Sequence, residues 1–356
     1  MPKLKGLYIL GASDLSLIYG EPERAQIAEL VDLYVPPQTP ASVKANPGIL
    51  AEADVIFSGW GMCPIDQAFV DAAPNLKVIF YGAGATGHIA TPAVIDRGIT
   101  VTSAQDANST PVAEYTLATV LFSLKHGWGL ARRTRALRDF PDRNAAPGCF
   151  DRTVGLISLG MIGRKVVDLL RPFDLNVIAY DPFCRAADAE RMGIELFPLD
   201  EVFRRSDVVS LHTPHRSETE NMITGEHIAS MRSGATFINT ARGRIVREDE
   251  LIEVLRRRAD LSAVLDVTAD EPPVKDSPLY TLPNVTLTPH IAGSVGQECR
   301  RMAKMMVEEL KRYLNGAPMK WQVTPRVDAS GTALPYPAAA GSSSRFTVPA
   351  ELTPIA

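Results

Sequence analysis

Cysteine is scarce in this sequence: four residues among 356, Cys63, Cys149, Cys184 and Cys299, with no C-x-x-C spacing. That argues against a zinc ribbon or a disulfide framework and points to a reducing compartment. Long apolar runs are missing as well. No window approaches the ~20 residues that span a bilayer, and the first apolar stretch, "GLYIL", stops at Gly11, too short for a signal peptide. The expected location is cytoplasmic. Blocks of one charge are also lacking, because 37 basic and 41 acidic residues are interspersed for a formal net charge of −4. Such a surface gives no basic footprint for nucleic acid or an anionic membrane. His88, His126, His212, His215 and His227 have no metal-ligand spacing, so no metal is expected. What the chain does have is 46% hydrophobic residues, enough for two ordinary cores and suited to work on small molecules.

Strand-like apolar runs alternate with amphipathic segments, the pattern of parallel sheets covered by helices, and the predicted class is α/β. "GLYIL", "ADVIFSGWG", "LKVIFYGAG" and "GITVTSA" read as strands of one small doubly wound domain, with "PERAQIAELV" a helix among them. "VAEYTLATVLFSLKHGW" reads as a long apolar helix, and the basic "ARRTRALRDFPDRNAAPG" after it as a loop-rich connector. From Thr153 the rhythm restarts with six strand candidates: "TVGLISLG", "NVIAYD", "DVVSLHTP", "GATFINTA", "LSAVLDV" and "NVTLTPH". Six parallel strands suit a dinucleotide domain. A last helix within "SVGQECRRMAKMMVEELKRYLNG" is long enough to return to the first domain.

The stretch "VGLISLGMIGRKVVDLL" at 154–170 opens this second half like a phosphate-binding turn with one letter changed. In the G-x-G-x-x-G fingerprint the first glycine makes the tight turn, the second admits the pyrophosphate and the third lets helix and strand pack closely. Ser158 stands first, Gly160 and Gly163 keep the other two places, and Met161 and Ile162 begin the helix. A serine is tolerable there if its φ stays negative. Asp181, in "VIAYDP" at the next strand end, stands where a ribose-binding acid belongs. Its carboxylate would repel a 2′-phosphate, so the expected cofactor is NAD rather than NADP. A glycine-containing turn can also carry no ligand; loop, flanking elements and acid together support the assignment.

"FINTARGRIVREDEL", "AVLDVTADEPP" and "LTPHIAG" follow in that order, each at or just after a predicted strand. With "SLHTP", these segments resemble the D-isomer-specific 2-hydroxyacid dehydrogenases, which include phosphoglycerate, D-lactate, glyoxylate/hydroxypyruvate and formate dehydrogenases. The resemblance covers roughly residues 50–320. It implies a Rossmann NAD-binding domain over 110–294 inserted into a flavodoxin-like substrate domain of 1–109 with 295–324. A flexible C-terminal tail is expected over 325–356, where composition turns to Pro, Ala and Ser.

The same resemblance implies the chemistry: hydride transfer between NAD and a small 2-hydroxy or 2-keto acid, with Arg242, Glu271 and His290 in the catalytic positions. The residue types suit that task. A keto group being reduced needs a proton donor at its oxygen, which histidine can supply. A carboxylate on the far ring nitrogen favours imidazolium and fixes the ring, and an arginine fork can hold the substrate carboxylate and polarise the carbonyl. By the same carry-over Asp266 would bind the nicotinamide carboxamide, Thr240 and Ala241 would lie along the cofactor, and Pro214 would border the adenine. The substrate loop resembles "YGAGATGHIA", where amides of Ala83 and Gly84 would hold the carboxylate, with Asn108 nearby in the pattern; the sequence departs from the family at Thr86 and Gly87. After "DVIF", where the phosphoglycerate branch carries an arginine and a serine, the chain reads "SGWGM". Trp60 there suggests an apolar wall for an unphosphorylated acid. Residues 112–128 and the segment after them resemble the arm through which family members pair as homodimers. Two alternatives stay open: an NAD(H)-binding regulator of the corepressor type, and a formate- or phosphite-type dehydrogenase.

Overall fold

Two parallel sheets organise the chain, each in its own compact unit: Met1–Gln105 with Cys299–Ala356, and Asp106–Glu298. The computed structural model describes residues 2–144, 146–323, 326–327 and 333–334. Of the expected tail, only Arg326–Val327 and Ala333–Leu334 are described, as two short antiparallel strands; the rest of that expectation lies outside the described residues.

The first unit has five strands, β1 (Lys5–Ile9), β2 (Asp32–Leu33), β3 (Val55–Ser58), β4 (Val78–Tyr81) and β5 (Thr100–Ser103). They pair in parallel in the order β2-β1-β3-β4-β5, the flavodoxin-like doubly wound arrangement. Strands covered on both faces need apolar residues at every position rather than alternate ones. "VIFS" and "VIFY" are accordingly buried throughout, with Phe57 and Phe80 stacked 5.3 Å apart. β2 has only two residues and no apolar run, so the sequence pattern misses it. The helix Arg300–Leu314 belongs to this unit and buries Met302, Ala303, Met306, Val307 and Leu310. At its start Arg300 meets the buried Glu23 at 3.1 Å.

The second unit has seven strands: β6 (Arg152–Ile157), β7 (Leu175–Tyr180), β8 (Glu195–Leu196), β9 (Val208–Leu211), β10 (Thr236–Asn239), β11 (Ser262–Leu265) and β12 (Val285–Leu287). Their order is β12-β11-β10-β9-β6-β7-β8, all parallel. The six expected strands are present, and the seventh, β8, is a two-residue edge strand that carries no pattern of its own. From β6 the chain goes first to β7 on one side and later to β9 on the other. The carboxyl ends of β6 and β9 therefore flank the switch point, where open α/β sheets bind ligands.

Two stretches differ from the sequence expectation. The long helix runs Gln105–Leu124 and so starts before the apolar pattern, through polar turns and over Pro111. The basic segment expected as a loop-rich connector is helical over Gly127–Leu137. Leucine, alanine and arginine favour helix there, and Trp128 packs edge-on against Phe122 at 4.5 Å.

Candidate active site

Arg242, Glu271 and His290 follow the ends of three adjacent parallel strands, β10, β11 and β12. His290 Nδ1 lies 2.7 Å from Glu271 Oε2, with both side chains about 40% exposed. Burial pushes the Glu271 carboxyl up, but the His290 hydrogen bond and charge, with the charge of Arg242, outweigh it and hold the pKa below the ordinary glutamate value. An ionised Glu271 requires the proton of the pair on Nδ1, which leaves Nε2 for chemistry.

Arg242 is exposed to solvent, yet the protein around it strips enough hydration to lower its pKa, with Glu271 opposing. It remains charged at neutral pH. Its turn is shaped by the buried Asn239, whose amide donates to the Arg242 carbonyl at 3.1 Å and whose Oδ1 accepts from Ala241 N at 3.0 Å. Gly243 makes the turn possible: a Cβ there would sit 1.9 Å from the carbonyl carbon of Thr268 and 2.3 Å from Ala269 N. Both are backbone atoms of the loop that leads to Glu271, so they cannot swing aside.

His290 has a left-handed backbone, φ 55, which costs a residue with a side chain ~1–2 kcal/mol. Asp266, only 2% exposed, holds it there. One carboxylate oxygen accepts from Thr288 Oγ1 at 2.6 Å and Ile291 N at 2.9 Å, and the other from Ala292 N at 2.8 Å. Asn108 closes the same loop by accepting from Ser294 N at 3.0 Å. Asp266 and Asn108, which the resemblance places at the ligand, also hold the His290 loop through these bonds. Tyr115, whose hydroxyl meets Thr288 at 2.9 Å, had no sequence signal.

The phosphate-type loop lies after β6. A Cβ on Gly163 would fall 2.2 Å from Ser158 O, while one on Gly160 would have no atom within 4 Å. Close packing and open approach are the two jobs those glycines have in a dinucleotide loop. The loop leads into the helix Met161–Leu170, capped by Gly160, and a helix start favours anions. Ser158 does not keep the negative φ that would have made it unstrained: φ is 77, in the left-handed region. The turn needs that conformation whichever residue fills it, and serine bears the strain glycine would avoid. Asp181 accepts from Leu159 N at 2.7 Å, Phe183 N at 2.8 Å and Cys184 N at 2.9 Å, which leaves about one of its four acceptor sites for a ribose hydroxyl. Ala241 is buried, Thr240 Oγ1 is buried without a partner among the described residues, and Pro214 is exposed, its carbonyl accepting from Thr219. An open glycine cradle after β6 and a buried hydroxyl after β10, unpartnered among the described residues, fit a dinucleotide.

His212, from "SLHTP", is buried with neither ring nitrogen partnered among the described residues. Burial pulls its pKa down to about 4. The unfolded chain takes up this proton near pH ~6.5, so stability is complete above that value. It is lost as the pH falls toward 4, because the unfolded state binds the extra proton. We predict that His212→Gln flattens the fall in thermal midpoint between pH ~6.5 and ~4. A fall as steep as that of the parent protein would exclude His212 as its source.

The substrate-loop residues belong to the first unit. Ala83 is buried, and Ser103 Oγ donates to the carbonyls of Ala83 and Gly84 at 3.1 Å each. Trp60 is half-buried against that unit's own apolar core, and its carbonyl accepts from Gly11 N at 2.9 Å.

Comparison with known proteins shows the family. A family model described as D-isomer specific 2-hydroxyacid dehydrogenase, NAD binding domain, matches residues 118–292. D-3-phosphoglycerate dehydrogenase of Methanocaldococcus jannaschii is 35% identical over 271 residues, 75% of this chain and 51% of that one. Glyoxylate reductase of Thermofilum pendens is 33% identical over 261 residues, 71% of this chain and 76% of that one. The chain spans about half the length of the phosphoglycerate dehydrogenases it matches. Among solved structures, the TT0316 protein of Thermus thermophilus matches with TM-score 0.70 at 28% identity, over 90% of this chain and 100% of that one. Apo D-mandelate dehydrogenase of Rhodotorula graminis shares the fold, with TM-score 0.76 at 22% identity over 91% and 98% of the chains. By these matches and by the residues at its strand ends, the chain belongs to the D-isomer-specific 2-hydroxyacid dehydrogenase family and carries that family's NAD-binding domain.

Proposed function

We propose that this chain is an NAD-dependent oxidoreductase that interconverts a D-2-hydroxy acid and the matching 2-keto acid. The observation that carries the reading is the 2.7 Å His290–Glu271 pair beside Arg242 at the strand ends of an NAD-binding domain. Bound NADH supplies the hydride. In reduction His290 Nε2 gives the proton to the carbonyl oxygen, and in oxidation it takes the proton back. Glu271 stabilises the imidazolium and keeps Nδ1 as the donor to itself. Arg242 binds the substrate carboxylate and polarises the carbonyl. Ser158, Gly160, Met161, Ile162 and Gly163 form the proposed pyrophosphate turn, Asp181 the ribose acceptor, and Pro214, Thr240 and Ala241 the remaining cofactor lining. The proposed domains are a Rossmann domain at 110–294 within a substrate domain of 1–109 and 295–324, the latter supplying Trp60, Ala83 and Gly84.

NAD is the proposed cofactor because Asp181 stands at the end of β7, where the ribose is expected, and the arginine close to it in sequence, Arg185, is paired with Asp188 at 2.9 Å. The substrate is proposed to be unphosphorylated. Ser58 is fully buried and its hydroxyl donates to Ile9 O at 2.7 Å, and neither Gly59 nor Trp60 brings a cation. One panel tests both points, with glyoxylate, hydroxypyruvate, pyruvate, phenylpyruvate and 3-phosphohydroxypyruvate each offered with NADH and with NADPH. NADH should be favoured by about tenfold or more, and hydroxypyruvate should outrun its phosphorylated form. Equal kcat/KM with the two cofactors would overturn the role of Asp181, and faster turnover of the phosphorylated acid would overturn the substrate class.

A homodimer is proposed from the same region of the second unit. Phe122 and Leu137 on its two helices, with Phe140 and Phe150 after them, are 43%, 58%, 90% and 75% exposed, and apolar side chains gathered at a surface can form an interface. Sedimentation at micromolar concentration should show a dimer; a monomer alone would contradict the proposal.

A further inference from the structure

Glycine in the first position of a dinucleotide loop provides only backbone freedom, whereas serine adds a hydroxyl, and here that hydroxyl has a partner. Ser158 Oγ lies 2.8 Å from Thr213 Oγ1. Ser158 directly follows β6 and Thr213 lies just past the end of β9. β6 and β9 are neighbours, and the sheet order reverses between them. The pair therefore bridges the crevice in which sheets of this kind take their ligands. Ser158 is 9% and Thr213 4% exposed, so water competes little for the bond. On the other side, Leu159 N is tied to Asp181 just after β7 at 2.7 Å. Two consecutive residues thus moor the loop to the strand ends on either side of β6.

We propose that Ser158 and Thr213 form a hydroxyl latch that sets the phosphate loop before the cofactor arrives, which makes Ser158 a positioning residue for NAD(H). This rests on the cofactor reading above. The latch also accounts for a side chain at a left-handed position: the bond that holds the loop offsets the conformation that glycine would adopt freely.

The test uses the full chain and the variants Ser158→Ala, Ser158→Gly, Thr213→Val, Thr213→Ser and the double variant Ser158→Ala with Thr213→Val. Two quantities are read: NADH affinity by calorimetry, and the thermal midpoint of the cofactor-free protein. Ser158→Ala and Thr213→Val should each weaken NADH binding by about three- to tenfold, the size of one hydrogen bond. The double variant should bind no more weakly than the weaker single one, because both remove the same bond. Thr213→Ser should restore affinity. Ser158→Gly should recover thermal midpoint relative to Ser158→Ala without recovering affinity. Parental affinity in both single variants, or additive losses in the double one, would overturn the latch. If the parent protein binds no NADH, the cofactor reading fails, and the latch stands or falls on the midpoints alone: a double-variant shift no larger than the greater single shift supports it, and additive shifts refute it.

Discussion

Replacing His290 with alanine is expected to lower turnover by about a hundredfold or more while NADH binding stays near the parental level. The size follows from what is lost, a proton transfer at the carbonyl oxygen, and from what is kept. The dinucleotide loop lies at the end of β6, whereas the imidazole's hydrogen bond runs to Glu271 beyond β11. The Asp266 clamp holds the backbone through the Thr288 hydroxyl and the amides of Ile291 and Ala292, so the loop is expected to keep its shape when the ring is removed. Steady-state kinetics across pH, beside a fluorescence titration with NADH, measures both halves. A variant that kept near-parental rates at every pH would show that another group supplies the proton.

The second large effect is expected at Arg242. Its change to alanine should lower kcat/KM by about 10²–10³, with KM rising and kcat falling together, because one guanidinium serves both substrate binding and the developing charge on the carbonyl oxygen. Lysine should not rescue it. A point charge on a flexible stem cannot reproduce a planar fork that reaches two oxygens at once, and the turn built by Asn239 and Gly243 places the fork rather than the charge alone. A rise in KM with kcat unchanged would leave Arg242 as a binding residue only.

The meeting of Arg242, Glu271 and His290, the trio proposed for catalysis, was legible in the sequence because each member lies in a short motif just past a strand, and parallel strands bring such positions to one edge. Six of the seven strands of the second sheet were legible for a related reason: "VVSL" and "TFIN" are buried throughout and apolar enough to announce it. What was not legible depends on reach or on dihedral angle. Nothing in the sequence shows that Asp266 holds the amides of residues 291 and 292, or that Asn108 reaches residue 294 across the unit. The φ of Ser158 was equally hidden, because residue type gives a preference and the turn imposes the angle. The helix Gly127–Leu137 was missed because a run of arginines near Pro and Gly reads as loop, while its packing partner, Phe122, lies on the preceding helix.

Gly243 bears on how the candidate site can change over generations. Every other amino acid would drive a Cβ into the backbone of Thr268 and Ala269, so no single substitution leads away from this position. Its neighbour Arg244 is exposed, paired with Asp270 at 3.0 Å, and free to drift, since surface ion pairs contribute little. A closed position and an open one thus stand side by side in this loop. New substrate preferences should therefore arise from other segments, while the turn that presents Arg242 is inherited unchanged.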